Sequence, residues 1–352
     1  METTAERYFS EADAELTRRV GIVDLHNDLV LALLKSRFDG DYDSLRSYWL
    51  PRLRAGGVRV VVCPIYLDPI FLPDGALRRT IQLIDALYQE IAANADQIEL
   101  ARSRGDVERI NAAGKIAALL SFEGAEPLGQ DLSALRIFYQ VGLRLLSLTW
   151  MWRTAFGDGT WENDSRGGLT RLGRRAVQEM NRLGIVVDVS HASDQTTWDV
   201  LEISTRPVIA SHSNARAVHN HPRNVTDDMI RAIAATGGLV GAVAVSRFIT
   251  AGPPTIAHWA EHIEHLIRVA GIEHVGIGAD FYQHVQELGG SQGIAELSPD
   301  DPTTPQPFVG MLGPEDLPGL TAELTRRGLA EADLRKLYYE NALRVLAQTE
   351  TP

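Results

Sequence analysis

Six positions in this chain carry side chains suited to metal-assisted hydrolysis, and each stands at or near the end of a short apolar run. His26 and Asp28 close the run 21–28, Glu123 closes 116–124, and His191 closes 184–191. His212 lies near the end of 207–213, and Asp280 near the end of 274–281. His26 and Asp28 flank one residue on a strand, so both side chains are expected to point the same way. Imidazoles from neighbouring strands with a shared carboxylate suit zinc or a similar divalent ion. With His26 and Asp28 on one ion, His191 and His212 on a second and Glu123 between them, the ligand count satisfies two metals. Two ions roughly 3.5–4 Å apart can trap a hydroxide and polarise a carbonyl together. A single histidine at a strand end is usually a hydrogen-bonded structural residue, and an H-x-D triplet is common by chance. Five ligand types at the ends of four strands, with Asp280 as an extra carboxylate at the end of a fifth, are a far rarer coincidence.

Such a constellation needs a scaffold that brings strand ends together. Eight apolar runs recur, at 21–28, 58–67, 116–124, 143–150, 184–191, 207–213, 238–245 and 274–281. Their apolarity is continuous rather than alternating, which marks strands buried on both faces of a parallel sheet. Between most of them lie segments of helical spacing, at 76–95, 169–183, 226–235 and 256–270, and two more at 315–327 and 330–347 close the chain. Alternating strands and helices imply right-handed crossovers. Eight strands in 352 residues fit a closed (β/α)8 TIM barrel, whose strand ends converge on one catalytic face. A G-x-G-x-x-G after the first strand is absent, which removes the commonest nucleotide-binding alternative. The chain is expected to form one domain, residues 1–352, with helices at 315–347. A Gly- and Pro-rich loop at about 281–312 should overhang the active site.

Composition narrows the partners. The net charge is −12, from 34 basic and 46 acidic residues, without a basic tract. That argues against nucleic acid or an anionic membrane. No run approaches the roughly 20 apolar residues of a spanning helix, and the N-terminus has no apolar leader. The single cysteine, Cys63, lies in an apolar run and reads as a small buried hydrophobe. A cytoplasmic location is the resulting expectation.

At these residues the sequence resembles the renal (membrane) dipeptidase family of zinc peptidases, nearly end to end. The matching segments include Asp24-Leu25-His26-Asn27-Asp28, Ser121-Phe122-Glu123-Gly124, Asp188-Val189-Ser190-His191, and Pro207-Val208-Ile209-Ala210-Ser211-His212-Ser213. Asn220-His221-Pro222-Arg223-Asn224-Val225 and Val275-Gly276-Ile277-Gly278-Ala279-Asp280-Phe281 follow the same pattern. The resemblance implies a binuclear zinc dipeptidase holding two Zn2+, or another divalent metal, per chain. His26 and Asp28 would hold the first ion, His191 and His212 the second, with Glu123 bridging. Asp280 would deprotonate the attacking water and return the proton to the leaving amine. Arg223 would pair with the free carboxylate of a small dipeptide, a task for a planar guanidinium fork. D-configured or achiral C-terminal residues are expected to be accepted, and a homodimer is compatible with the resemblance. His219 and His221 lie past the strand end and read as structural.

Two departures bear on the substrate. Members usually carry Leu-Thr-His after the fourth strand, and that histidine contacts the carbonyl oxygen of the tetrahedral intermediate. Here the run is Leu148-Thr149-Trp150, and an indole offers one N–H and no charge. Trp150 is therefore expected to line a wider or more apolar pocket with Trp152 and Trp161, and to slow cleavage of simple dipeptides. After Asp280 the usual Asp-Phe-Asp-Gly is replaced by Asp280-Phe281-Tyr282-Gln283-His284, where Tyr282 or His284 would offer a new donor to substrate. Two other readings keep the metal site. In one the chain hydrolyses an N-acyl amino acid, a lactam or a biosynthetic intermediate, and in the other it retains metal without turnover.

Overall fold

The computed structural model describes residues 8–281 and 308–350. Among these, nine strands form one parallel sheet: β1 (Ile22–Asp24), β2 (Val58–Tyr66), β3 (Ile98–Leu100), β4 (Ile116–Glu123), β5 (Leu143–Ser147), β6 (Val186–Asp188), β7 (Val208–Ala210), β8 (Leu239–Ala242) and β9 (Val275–Ile277). β2 pairs with β4 along seven rungs, from Val60↔Ala117 to Tyr66↔Glu123, and β1 pairs with both β2 and β9. All strands except β3 thereby close into an eight-membered barrel. The fold is the (β/α)8 barrel expected from the alternation of runs and helices.

β3 is the strand that sequence reasoning missed. It pairs only with the first residues of β4, below the point where β5 takes over that edge. Three residues with a charged centre, Ile98-Glu99-Leu100, carry too little apolar periodicity to stand out. The helical expectations fare better. The segments 76–95, 169–183, 226–235 and 256–270 are helices Ala76–Ala93, Arg171–Leu183, Asp227–Ala235 and Ile256–Ala270. Thr170 and Thr226 cap two of them by accepting from Gly173 N and Met229 N. No helix among the described residues is long and apolar enough to cross a membrane.

The barrel interior is filled by alternate residues of each strand, among them Val60 and Val62 of β2, Ala117 and Leu119 of β4, and Leu145 of β5. The closing helix Asn341–Thr349 adds Leu343 and Leu346 to this cluster, so the N-terminal end of the barrel is plugged. Substrate can enter only over the opposite rim, where the C-terminal ends of the strands lie.

Candidate metal centre and active site

The strands are shorter than their apolar runs, which changes how the ligands are held. β1 ends at Asp24, so His26 lies in the following turn and Asp28 is the N-cap residue of helix Leu29–Phe38. The expectation that both sit on a strand and share its face is corrected here. They converge by a different route, with His26 Nε2 3.7 Å from Asp28 Oδ1. Only Glu123 lies on a strand proper, as the last residue of β4. Gly124 turns the chain away at φ 104, a left-handed value that glycine adopts freely, and donates its N–H to Ser147 Oγ at 3.0 Å.

His191 and Asp280 follow β6 and β9 with φ of 69 and 57. Non-glycine residues pay about 1–3 kcal/mol for such backbone, and it persists where the surroundings over-determine it. At His191 the surroundings are visible: the backbone N–H and the hydroxyl of Thr160 both donate to its carbonyl, each at 2.8 Å. Of the three non-glycine residues at positive φ among the described residues, two are expected site residues.

Glu123 is the centre of the arrangement. Its Oε1 lies 2.7 Å from His191 Nε2 and 3.5 Å from His212 Nε2, while its Oε2 lies 3.6 Å from His26 Nε2. One carboxylate thus faces a histidine pair with one oxygen and His26 with the other. The groups do not separate cleanly into the expected pairs, because His26 also packs on His212 with ring centroids 3.8 Å apart. Two overlapping sets of potential ligand atoms result: His26, Glu123 and His212, and His26, Asp28 and Asp280.

Two observations test whether these residues fit a cation. His26 Nε2 and Asp28 Oδ1 are buried without a hydrogen-bond partner, a costly state unless a ligand completes them. The electrostatics agree. Burial favours a neutral Glu123, but the rings of His26 and His191 hold it well below the usual carboxylate range. Burial and the nearby Arg223 push His191 down to about 3, and burial with the adjacent His26 pushes His212 well below its ordinary value. Glu123 is thus an ionised carboxylate beside the neutral rings of His191 and His212, while Glu123 and Asp28 overcome burial and raise His26 well above its ordinary value, so that a divalent ion would take the place of the His26 proton.

A further layer, unread in the sequence, holds these candidate ligands. Asp188 ends β6 and accepts from Ser190 N at 2.9 Å, Ser211 N at 3.0 Å and the Ser211 hydroxyl. Ser211 Oγ lies 2.7 Å from His212 Nδ1. With the Ser211 proton committed to Asp188, the His212 ring donates from Nδ1 and leaves Nε2 free to face Glu123. Asp24 ends β1 in the same manner, accepting from His26 N at 3.4 Å, Ala279 N at 3.0 Å and Asn27 Nδ2 at 3.1 Å. It ties the His26 turn to the residue before Asp280, and burial pushes its carboxyl up to about 6. Gly278 lets these ends close, since a Cβ there would lie 2.0 Å from Ser211 O. Both aspartates stand in the quoted motifs, but their residue type alone marks them equally as ligands or as staples.

Arg223 is 3% exposed and reaches into the same space. Its Nε donates to His191 Nδ1, Nη1 to Ser213 Oγ and Nη2 to His212 O, each at 3.1 Å. Burial lowers it to about 10, so it stays cationic at neutral pH. His221 Nδ1 accepts from Arg223 N at 3.1 Å, which accords with a structural role for that histidine. Trp150 is buried, stacked on His191 with centroids 5.7 Å apart, and clustered with Trp152 at 4.8 Å and Trp161 at 5.5 Å. Asp280 is half-buried beside Asp28 and Glu123, and its desolvation there raises its carboxyl to about 7. Tyr282 and His284, with most of the expected overhanging loop, lie outside the described residues.

The sequence matches the membrane dipeptidase family, peptidase family M19, over residues 11–298 and 282–352. The chain belongs to the membrane dipeptidase family. Membership makes it a hydrolase of a metallopeptidase class and implies a divalent metal at this centre. Among family relatives, dipeptidase verJ of Clonostachys rogersoniana is 32% identical, over 96% of this chain and 86% of its own. A metallopeptidase from Rhodobacter sphaeroides, solved with a phosphinate mimic of the dipeptide L-Ala-D-Ala, superposes with a TM-score of 0.82 at 28% identity. That match covers 94% of this chain and 99% of the other. A dipeptidase structure of the same family gives 0.81 at 30% identity, covering 94% and 98%.

Proposed function

We propose that this member of the family is a binuclear, zinc-type dipeptidase that hydrolyses the amide bond of small dipeptides bearing a free carboxylate, with either an L or a D residue in the C-terminal position. The observation that carries this reading is the position of Glu123, one oxygen toward His191 and His212 and the other toward His26. Bound between these groups, two divalent ions would acidify a shared water and polarise the scissile carbonyl. Asp280, half-buried beside Asp28, takes the proton of the attacking water and returns it to the leaving amine. Arg223 uses three contacts of its five-donor fork, which leaves N–H groups for a substrate carboxylate. The phosphinate mimic of L-Ala-D-Ala bound by the Rhodobacter sphaeroides relative supports acceptance of a D residue.

A second reading keeps the same centre and replaces the dipeptide by an N-acyl amino acid, a lactam or a biosynthetic intermediate. It is favoured by the indole wall of Trp150, Trp152 and Trp161, with Trp161 45% exposed, which offers apolar area for a larger acyl group. Metal content and metal-restored hydrolysis of L-L and L-D dipeptides, with N-acyl amino acids as contrast, separate the two. Dipeptide turnover with about two zinc ions per chain is expected. Activity confined to acylated or lactam substrates selects the second reading, and a chain that retains no metal overturns both.

A further inference from the structure

Tyr66 is the last residue of β2 and faces Glu123 across the final rung of the β2–β4 ladder. Alternate residues of a strand share a face. Val60 and Val62 lie inside the barrel with Ala117 and Leu119, so Tyr66 and Glu123, in the same alternation, project into the barrel mouth. The ring is 3% exposed and packs 5.2 Å from that of Trp150. Its hydroxyl is fully buried and has no hydrogen-bond partner among the described residues.

A buried phenol without a partner costs about 1–3 kcal/mol. Of the other unpartnered atoms at this rim, His26 Nε2 and Asp28 Oδ1 are accounted for by the proposed ions, and the Thr149 hydroxyl lies past the end of β5 rather than beside Glu123 on the β2–β4 ladder. The Tyr66 hydroxyl is not a cation ligand of that kind. A phenol is protonated at neutral pH and is not among the usual ligands of zinc. It is therefore a neutral donor held beside the bridging carboxylate and left without an acceptor. A substrate ammonium brings no acceptor. The substrate carboxylate is assigned to Arg223, on the opposite side of the centre among residues that follow β6 and β7. What remains is the oxygen of the scissile carbonyl, whose negative charge grows as the tetrahedral intermediate forms.

We propose that Tyr66 is a catalytic residue whose hydroxyl donates to the oxyanion of the tetrahedral intermediate, supplying a neutral donor at a rim where Trp150 offers no charge. The inference rests on the dipeptidase reading and deepens it. The orientation of Tyr66 follows from the strand alternation of β2, and its function from the absence of any acceptor among the described residues.

The test is Tyr66→Phe in the metal-loaded enzyme, with the metal-free protein as a second readout. Phenylalanine keeps the ring contact with Trp150 and removes only the orphaned hydroxyl, so the thermal stability of the metal-free protein should hold or rise. Turnover of a dipeptide should fall about 10²-fold, with KM changed far less. Affinity for a phosphinate dipeptide mimic, tetrahedral and anionic, should fall by a comparable factor. Unchanged kcat and phosphinate affinity would overturn the assignment. A rise in KM alone would also overturn it, because it would assign the hydroxyl to a ground-state contact such as the substrate ammonium. Loss of stability in the metal-free variant would reveal a structural hydroxyl and have the same consequence. A wild-type enzyme inactive on every dipeptide would sink the dipeptidase reading itself, a different failure from an active wild type with an indifferent Tyr66→Phe.

Discussion

Replacing Ser211 by alanine isolates the support of one proposed metal ligand, His212, without touching that residue. Ser211 Oγ stands between His212 Nδ1 at 2.7 Å and the Asp188 carboxylate, to which it donates. The His212 ring is fully buried and Asp188 is 9% exposed, so water cannot replace the lost hydroxyl. Alanine strands the Nδ1–H of His212 and one acceptor site of Asp188, whose other oxygen keeps the N–H groups of Ser190 and Ser211. Two buried groups left unpaired at roughly 1–3 kcal/mol each predict a loss of about 2–4 kcal/mol of folding stability after partial relaxation. A freed ring also samples other orientations and tautomers, and removal of such outer-shell support typically lowers metal affinity about 10–100-fold. Chelator competition against the intact protein measures this, with Ser211→Thr, which retains the hydroxyl, as the rescue. Wild-type affinity in Ser211→Ala would refute the reasoning, showing that packing on His26 alone orients His212.

Three further outcomes are expected. Arg223→Met should raise KM for dipeptides with a free carboxylate by about 10²-fold or more while penalising amidated dipeptides much less, since a charged hydrogen bond is worth about 1.5–3 kcal/mol or more when buried. Equal losses on both substrates would assign Arg223 to the support of His191 and His212 instead. Trp150→His should raise turnover of simple dipeptides by up to about 10²-fold, and no gain on any dipeptide would leave Trp150 a matter of pocket shape. His262, buried under the loop that follows His212, accepts from Ala215 N at 3.2 Å and contacts Ile249 O at 2.9 Å, so both ring nitrogens are committed in the neutral form. Burial pushes it down to about 4. The unfolded chain takes up this proton near pH 6.5 and the folded chain only near 4, so stability falls as pH drops through that window, by about 3 kcal/mol in all. Denaturant unfolding of the metal-free protein from pH 7 to 4 should show this slope, reduced in His262→Gln; an identical slope in both would refute it.

Much of this protein is determined by its sequence alone. Continuous apolar runs alternating with helical spacing dictate a parallel sheet covered on both faces, and strand count with chain length dictates closure. Ligand residue types at the ends of those runs then have to meet on one rim, because a closed barrel has only one C-terminal face. That is why His26, Asp28, Glu123, His191, His212 and Asp280 could be picked from the sequence as candidates for one site. β3 was not, because three residues on a borrowed edge leave no period to detect.

What only the tertiary structure decided is how each ligand is held and what stands around it. The strands stop short of their apolar runs, so His26 and Asp28 meet across a turn and a helix N-cap instead of along a strand. The left-handed backbone of His191 and Asp280 leaves no trace in a sequence, since it is imposed by neighbours far along the chain. Asp24 and Asp188 belong to the same motifs as the ligands, and residue type cannot tell a carboxylate that binds a cation from one that satisfies three donors. Tyr66 reads as the apolar end of a buried strand. Only the packing of β2 against β4 and Trp150 shows that its hydroxyl is buried without a partner, because a missing hydrogen bond is a property of the assembled surroundings and of no single residue.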